Sequence, residues 1–406
     1  MALNTLRFQF LSLFIACICL FSFTQVSAQE IYFEWQTDIP LTRNHQKLTL
    51  PWAGGFNSPQ FSSFDLNQDN QLDLVVFERT SSKIYTFLYT SQKGYQYAPA
   101  YESFFPDDLK GWLLLRDYDQ DGRMDLFTHA PFGMKVYQNI TSPHSPPQWK
   151  LLIDPVRTKG FRGMVNLQVN MLDIPIIQDI DQDGDLDIIC FDFAQGSWLE
   201  FHQNLSQENY NNSSQLEFER KSTCWGGVIE GTTCGEYTFG YNCEVESESG
   251  GGGHPFKTMH VGSTLALQDL NGDGLLDALV GEISCPHIYY LPNVGTPQKA
   301  LFESFNQEFP PSKPIVLEDF PAVFFEDVNA DGKKDLLASP NVFVNSENKI
   351  DFQHSVWLYE NIGTETKPDF QFKQDDFLQS EMLEVGENAF PALSDMDADG
   401  DLDLLV

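Results

Sequence analysis

Short apolar runs alternate along this chain with clusters of acidic and turn-forming residues, and the alternation repeats. Leu74-Val75-Val76-Phe77, Ile188-Ile189-Cys190-Phe191, Ala278-Leu279-Val280 and Leu404-Leu405-Val406 are aliphatic, rich in β-branched residues and bounded by turn residues, so each reads as a buried strand. A second recurrent piece is an aromatic strand ending in Asn: Val136-Tyr137-Gln138-Asn139, Leu199 to Asn204, Ile288 to Asn293 and Trp357 to Asn361. A third resembles an outer strand: Tyr95-Gln96-Tyr97, Gln148 to Leu151, Leu216 to Glu219, Leu301 to Phe305 and Phe370 to Lys373. Strand, acidic turn, strand, aromatic strand, Asn turn and outer strand make a four-stranded antiparallel unit. Radial repetition of such units is a β-propeller, so the expectation is an all-β chain of four-stranded blades, seven in number.

The acidic turn preceding each apolar run is written six times. Its clearest copy is Asp179-Ile180-Asp181-Gln182-Asp183-Gly184-Asp185-Leu186-Asp187, with side-chain oxygens at positions 1, 3, 5 and 9 around a glycine that permits a sharp turn. The others are Asp65-Asn67-Asp69-Asp73, Asp117-Asp119-Asp121-Asp125, Asp269-Asn271-Asp273-Asp277, Asp327-Asn329-Asp331-Asp335 and Asp395-Asp397-Asp399-Asp403. Position 6 is Gly in every copy but the first, where Asn70, the next most tolerant residue for a left-handed backbone, replaces it. Short loops of this kind wrap a hard cation that wants six to eight oxygens, so the expected cofactor is Ca2+, with these 24 side chains as its ligands.

An EF-hand would need a bidentate Glu at position 12 and flanking helices. Position 12 here is Val76, Thr128, Cys190, Val280, Ala338 or Val406, none of them a ligand, so the ion belongs in the turn of a β-hairpin. The first Asp of each loop recurs at intervals of 52, 62, 90, 58 and 68 residues. A bare blade takes about 40 to 50, and the excess is loop.

The loops, each followed by an apolar strand and a small residue as in Leu279-Val280-Gly281-Glu282, resemble the FG-GAP or VCBS repeats of integrin-α-like propellers. The spacing and the turns Gly295-Thr296 and Gly363-Thr364 are similar to those of secreted Gram-negative proteins that use the type IX route. The resemblance covers about residues 30–406 and implies the propeller fold and calcium; it carries no partner or adhesion site over to this chain.

Composition narrows the function. A formal charge of −34 excludes a nucleic-acid partner, because phosphate requires a basic footprint. Many of the carboxylates lie in the loops, where bound calcium would cancel part of their mutual repulsion. Residues 1–28 carry Arg7, an apolar run from Phe8 to Phe23 and Val26-Ser27-Ala28, the order of a cleaved signal peptide. The mature chain, residues 29–406, is then exported from a bacterium, secreted or held at the cell surface, with no transmembrane segment.

Residues 204–258 form a Cys-, Gly- and Ser-rich insertion within the propeller. Exported cysteines favour disulfides; the preferred pairing is Cys224 with Cys243, and Cys190 is expected as a buried free thiol. A zinc site from these cysteines with His254 and His260 lacks a close cysteine pair of zinc-finger spacing.

No nucleophile elbow, HExxH, P-loop or dinucleotide fingerprint is present, and no catalytic residue stands out. The reading is an exported calcium-binding propeller that serves as a binding or adhesion module for an extracellular protein or glycan. The alternative is a propeller-based polysaccharide lyase or hydrolase, which a polar central cleft with carboxylates, His or Tyr outside the loops would favour. Finally, residues 30–39 read as an orphan outer strand, and Val406 falls in the strand after the sixth loop. The expectation is an open arc, its completion needing on the order of 80 to 100 further residues at about 40 to 50 per blade.

Overall fold

The computed structural model describes residues 35–241, 262–345, 348–387 and 389–406. The chain divides into Met1–Gln36, of which Trp35 and Gln36 are described and lie in no strand, and Thr37–Val406, which holds the fold. The orphan strand expected over 30–39 is not formed by its described residues 35–39. Pairing starts later, in a small hairpin of β1 (Thr42–Arg43) and β2 (Gln46–Lys47).

Five blades follow. The first is β3 (Pro59–Phe64), β4 (Asp73–Glu78), β5 (Lys83–Thr90) and β6 (Gly94–Tyr97), antiparallel in that order. The second is β7 (Leu113–Arg116), β8 (Asp125–Ala130), β9 (Gly133–Asn139) and β10 (Trp149–Ile153). A hairpin of β11 (Arg157–Gly160) and β12 (Gly163–Asn166) then extends the third blade, β13 (Ile176–Gln178), β14 (Asp187–Phe191), β15 (Leu199–Asn204) and β16 (Phe218–Ser222), by a parallel pairing of β11 with β16. A second small hairpin, β17 (Ile229–Glu230) with β18 (Tyr237–Thr238), belongs to the insertion. The fourth blade has β19 (Ser263–Gln268), β20 (Asp277–Glu282) and β21 (Ile288–Leu291); its outer segment pairs through the isolated bridges of His287 with Val316, Tyr290 with Asn306 and Asn293 with Phe302. The fifth is β22 (Pro321–Glu326), β23 (Asp335–Pro340), β24 (Trp357–Asn361) and β25 (Phe370–Gln374).

The second strand of each blade is almost wholly buried because neighbouring blades cover both its faces. In β4, Leu74 and Val76 join a core cluster with Phe324 and Leu337 of blade five, while Val75 and Phe77 join one with Leu113, Leu115 and Leu126 of blade two. Period-two side chains thus serve two neighbours from one strand. Ile189 and Phe191 likewise meet Leu265 and Val280, and Leu279 meets Val323 and Leu336.

The inner strands close a circuit. β3 packs on β7, β7 on β13, β13 on β19, β19 on β22, and β22 and β23 return to β3. Inner strands have a free edge, and side chains of the neighbouring blade satisfy it. Leu113 N–H donates to Gln60 Oε1 (3.0 Å), Leu115 N–H to Ser62 Oγ (3.4 Å) and Ser63 N–H to Glu326 Oε2 (3.1 Å). Arg116 Nε reaches Ile177 O (3.2 Å), Ile174 bridges Thr264 directly, and Thr264 Oγ1 donates to Pro321 O (2.9 Å). Ser339 Oγ closes the ring on Pro59 O (2.7 Å).

Among the described residues the ring therefore holds five blades where the sequence suggested seven, and the expected open arc is corrected: Ser339, Glu326 and Ser63 join the fifth blade to the first. The sixth loop lies in a separate two-stranded sheet, β26 (Ala392–Ser394) with β27 (Asp403–Leu405), and Leu404, Leu405 and Val406 are exposed.

Within each blade one residue ties three strands. The position-9 aspartate starts the second strand and is buried in all five blades. Its Oδ2 accepts the N–H of loop position 2: Leu66 (2.9 Å), Tyr118 (3.1 Å), Ile180 (3.1 Å), Leu270 (3.1 Å) and Val328 (3.3 Å). Its Oδ1 accepts the N–H at the end of the third strand or just beyond it: Tyr89, Asn139, Asn204 and Asn361 at 2.8 Å, and Asn293 at 2.7 Å. The Asn side chain carries the tie outward, as where Asn361 Oδ1 accepts from Gly363 and Asp369 N–H (3.0 and 3.1 Å).

Two outcomes are expected. A Cβ on Gly281 would stand 1.9 Å from Pro321 O and 2.5 Å from Thr264 Oγ1, so Gly281→Ala must push blades four and five apart. It should cost about 1 to 3 kcal/mol in urea unfolding, and a neutral substitution would contradict this blade contact. Asp277→Ala orphans two buried N–H groups and should cost about 2 kcal/mol or more even in chelator. Asn271→Ala, in the exposed part of the same loop, should cost far less there; equal losses would refute the tie.

Candidate metal sites

Each loop is shaped by its own side chains. The position-1 carboxylate accepts the position-6 N–H, from Asn70 (3.0 Å), Gly122 (2.8 Å), Gly184 (3.1 Å), Gly274 (2.8 Å), Gly332 (2.8 Å) and Gly400 (3.1 Å). Position 3 accepts from position 5, as Asn67 Oδ1 does from Asp69 N–H (2.9 Å), and position 5 from position 7, as Asp183 Oδ1 does from Asp185 N–H (3.0 Å). Positions 4 and 6 are left-handed in all six copies, including Gln68 (φ 61°) and Asn70 (φ 67°). The Asn70 substitution is therefore accommodated as the sequence implied.

These turns bring acidic oxygens together. In loops two and three, ligand atoms of Asp117, Asp119 and Asp125, and of Asp179, Asp181 and Asp187, lie within 4.8 Å of one another. In loop three, Asp179 Oδ1 and Asp185 Oδ1 are buried and accept no hydrogen bond. Burial, with the Asp181 charge adding to it, pushes Asp187 up to about 8 against the two N–H groups that hold it. Burial likewise raises Asp125 to about 7, and Asp73, Asp277 and Asp335 to about 6. An all-oxygen set with orphaned, crowded carboxylates fits a hard divalent cation. Some loops carry internal cations instead: Arg123 pairs with Asp121, and Lys333 Nζ lies 3.1 Å from Asp331. The position-9 residues, read from sequence as ligands alone, are also the blade ties described above. Loop six repeats the geometry, with Met396 N–H on Asp403 Oδ2 (2.6 Å), on an exposed hairpin.

The insertion carries a disulfide that the sequence reading did not single out. Cys234 is bonded to Cys285 at the turn after β20. Cys224 is itself disulfide-bonded, while its expected partner Cys243, like His254 and His260, lies outside the described residues. Cys190 is the buried free thiol expected.

Beside the Cys234–Cys285 bond sit two carboxylates that sequence reasoning did not single out. Glu230 and Glu282 are 2 % and 1 % exposed. Tyr237 donates its hydroxyl to Glu282 (2.5 Å), and Ser263 Oγ lies 3.2 Å from both oxygens of Glu230. Burial raises both, Glu282 to about 7, and the charge of Glu282 raises Glu230 further. Both are buried, and Glu230 lines a small cavity with Phe191, Leu199, Val228, Tyr237 and Val280.

No family model matches this chain, and no curated protein matches it. Among solved structures it is similar to a lectin of Agrocybe aegerita described as recognising non-reducing terminal N-acetylglucosamine, at 16% identity over 86% of this chain and 74% of that one, with a TM-score of 0.32. It is also similar to the Photorhabdus luminescens Tc holotoxin pore, at 13% identity over 90% of this chain but 14% of that one, with a TM-score of 0.33. A third likeness is to BBS1N in complex with ARL6DN, at 13% identity over 71% of this chain and 91% of that one, with a TM-score of 0.30.

Proposed function

We propose that this chain is an exported, calcium-stabilised propeller of the FG-GAP or VCBS kind that acts as a binding module for an extracellular protein or glycan. The observation that carries the reading is the convergence of the loop oxygens, with buried Asp179 Oδ1 left unpartnered in the clearest copy. The residues that would hold calcium are those at positions 1, 3, 5 and 9, and the ion would neutralise carboxylates that otherwise repel one another within each turn. The signal-like residues 1–28 and the Cys234–Cys285 bond accord with export, as does the type IX resemblance of the turns. No helix among the described residues is long and apolar enough to cross a membrane. Binding rather than catalysis is supported because the Glu230 and Glu282 pair is buried and the inner strands of the ring are cross-linked rather than parted. A glycan and protein array probed with calcium-loaded protein tests the reading; polysaccharide cleavage by that protein would replace it with the enzymatic one.

Calcium should raise the melting temperature progressively with its free concentration, because it binds the native state and not the unfolded chain. Identical melting curves in calcium and in chelator would contradict the proposal. The pH dependence has a definite sign. Asp125 and Asp187 have folded-state pKa values raised above the usual 3.8, to about 7 and about 8, so their contribution favours folding at low pH and is lost as pH rises through those values. Chelated protein should therefore lose stability between pH 5 and 8, and calcium, which takes the ionised form, should remove that loss. A chelated protein that instead gains stability over this range would show that these carboxylates are not what the metal relieves.

A further inference from the structure

Blade three carries a donor set of a different chemistry. Cys190 on β14 stands directly opposite Glu200 on β15, and His202, two residues further, shares their face of the sheet. The sulfur, a carboxylate oxygen and an imidazole nitrogen lie within 4.8 Å of one another. Cys190 is 1 % exposed, and the His202 and Glu200 side chains 2 % and 16 %.

His202 is the second, independent sign. Its Nδ1 lies 3.0 Å from Thr158 Oγ1 on β11, which fixes the ring. Its Nε2 is buried, makes no hydrogen bond, and faces Glu200 Oε2 at 3.4 Å. In the tautomer whose Nδ1–H donates to Thr158, a nitrogen lone pair and a carboxylate oxygen confront each other, an arrangement a cation between them relieves. Glu200 Oε1 is already held by Arg220 Nη1 (2.5 Å), so its other oxygen is the one left for a ligand. The charges acting on the thiol are Glu200, Asp173 and Asp192 against the single cation Arg220, a field that favours a positive ion.

We propose that Cys190, Glu200 and His202 form a binding site for a borderline-soft divalent transition ion of the zinc class, separate from the calcium loops. Thiolate and imidazole are donors that such ions prefer and calcium does not. On binding, the Cys190 S–H bond breaks, its proton leaves to solvent and a sulfur–metal bond forms, with no change of oxidation state. Thr158 and Arg220 are positioning residues that orient the two other donors.

The test uses full-length protein saturated with calcium, so that the loops are filled, and Co2+ as the probe. The expected result is one tightly held cobalt per chain with a cobalt–thiolate charge-transfer band, lost in Cys190→Ser. Thr158→Val should retain the band and weaken cobalt binding by about 10- to 100-fold. Should Cys190→Ser fail to fold, X-ray absorption on zinc-loaded wild type decides, since the site requires sulfur and nitrogen scatterers. Cobalt bound without a thiolate band, a band that survives in folded Cys190→Ser, or an oxygen-only zinc shell would each overturn the proposal and leave His202 and Glu200 as a buried ion pair.

Discussion

The structure depends on one interaction made five times: a buried carboxylate at loop position 9 that accepts N–H groups from the hairpin turn behind it and from the third strand beside it. A hairpin alone is marginal in water, and a propeller blade is a hairpin with two more strands attached. The aspartate converts the turn into a joint, because the two donors it holds would otherwise be buried unpaired. The joint has a cost, since burying the carboxylate raises its pKa, most of all at Asp187. The cation proposed for the same loop would offset that cost.

Blade-to-blade association rests on a second device. Second strands such as β4 bury alternate side chains against opposite neighbours. The inner strands have edges that no further strand can pair, and Gln60, Ser62, Glu326 and Ser339 satisfy them from the adjacent blade. These polar side chains set the circuit of five, because each fits only where a neighbour of the right register stands opposite.

Much of this was legible in the sequence. The loops, the apolar second strands, the aromatic strands ending in Asn and most outer strands fall where the periodicity put them. The blade number did not follow, because Gln60 and Ser339 look like ordinary polar positions until their partners 53 and 280 residues away are in place. A count of loops gave seven by assigning a blade to every repeat and to residues 30–39, whereas β26 and β27 stand apart. The Cys234–Cys285 bond was missed for a similar reason: it joins the insertion to blade four across 51 residues, and nothing local marks the pair. The tie at position 9 was hidden because an aspartate that accepts from backbone and one that binds a cation are the same letter.

The central claim is that the position-9 tie belongs to the fold by itself, and that the calcium proposed above would act on the rest of the loop. Residue-resolved amide hydrogen exchange, with and without calcium, separates the two. The N–H groups of Asn139, Asn204, Asn293 and Asn361 should rank among the slowest in both conditions, while those of Gly122, Gly184, Gly274 and Gly332 slow only when calcium is added. Asn amides that exchange as fast as the loop glycines once calcium is removed would contradict the account.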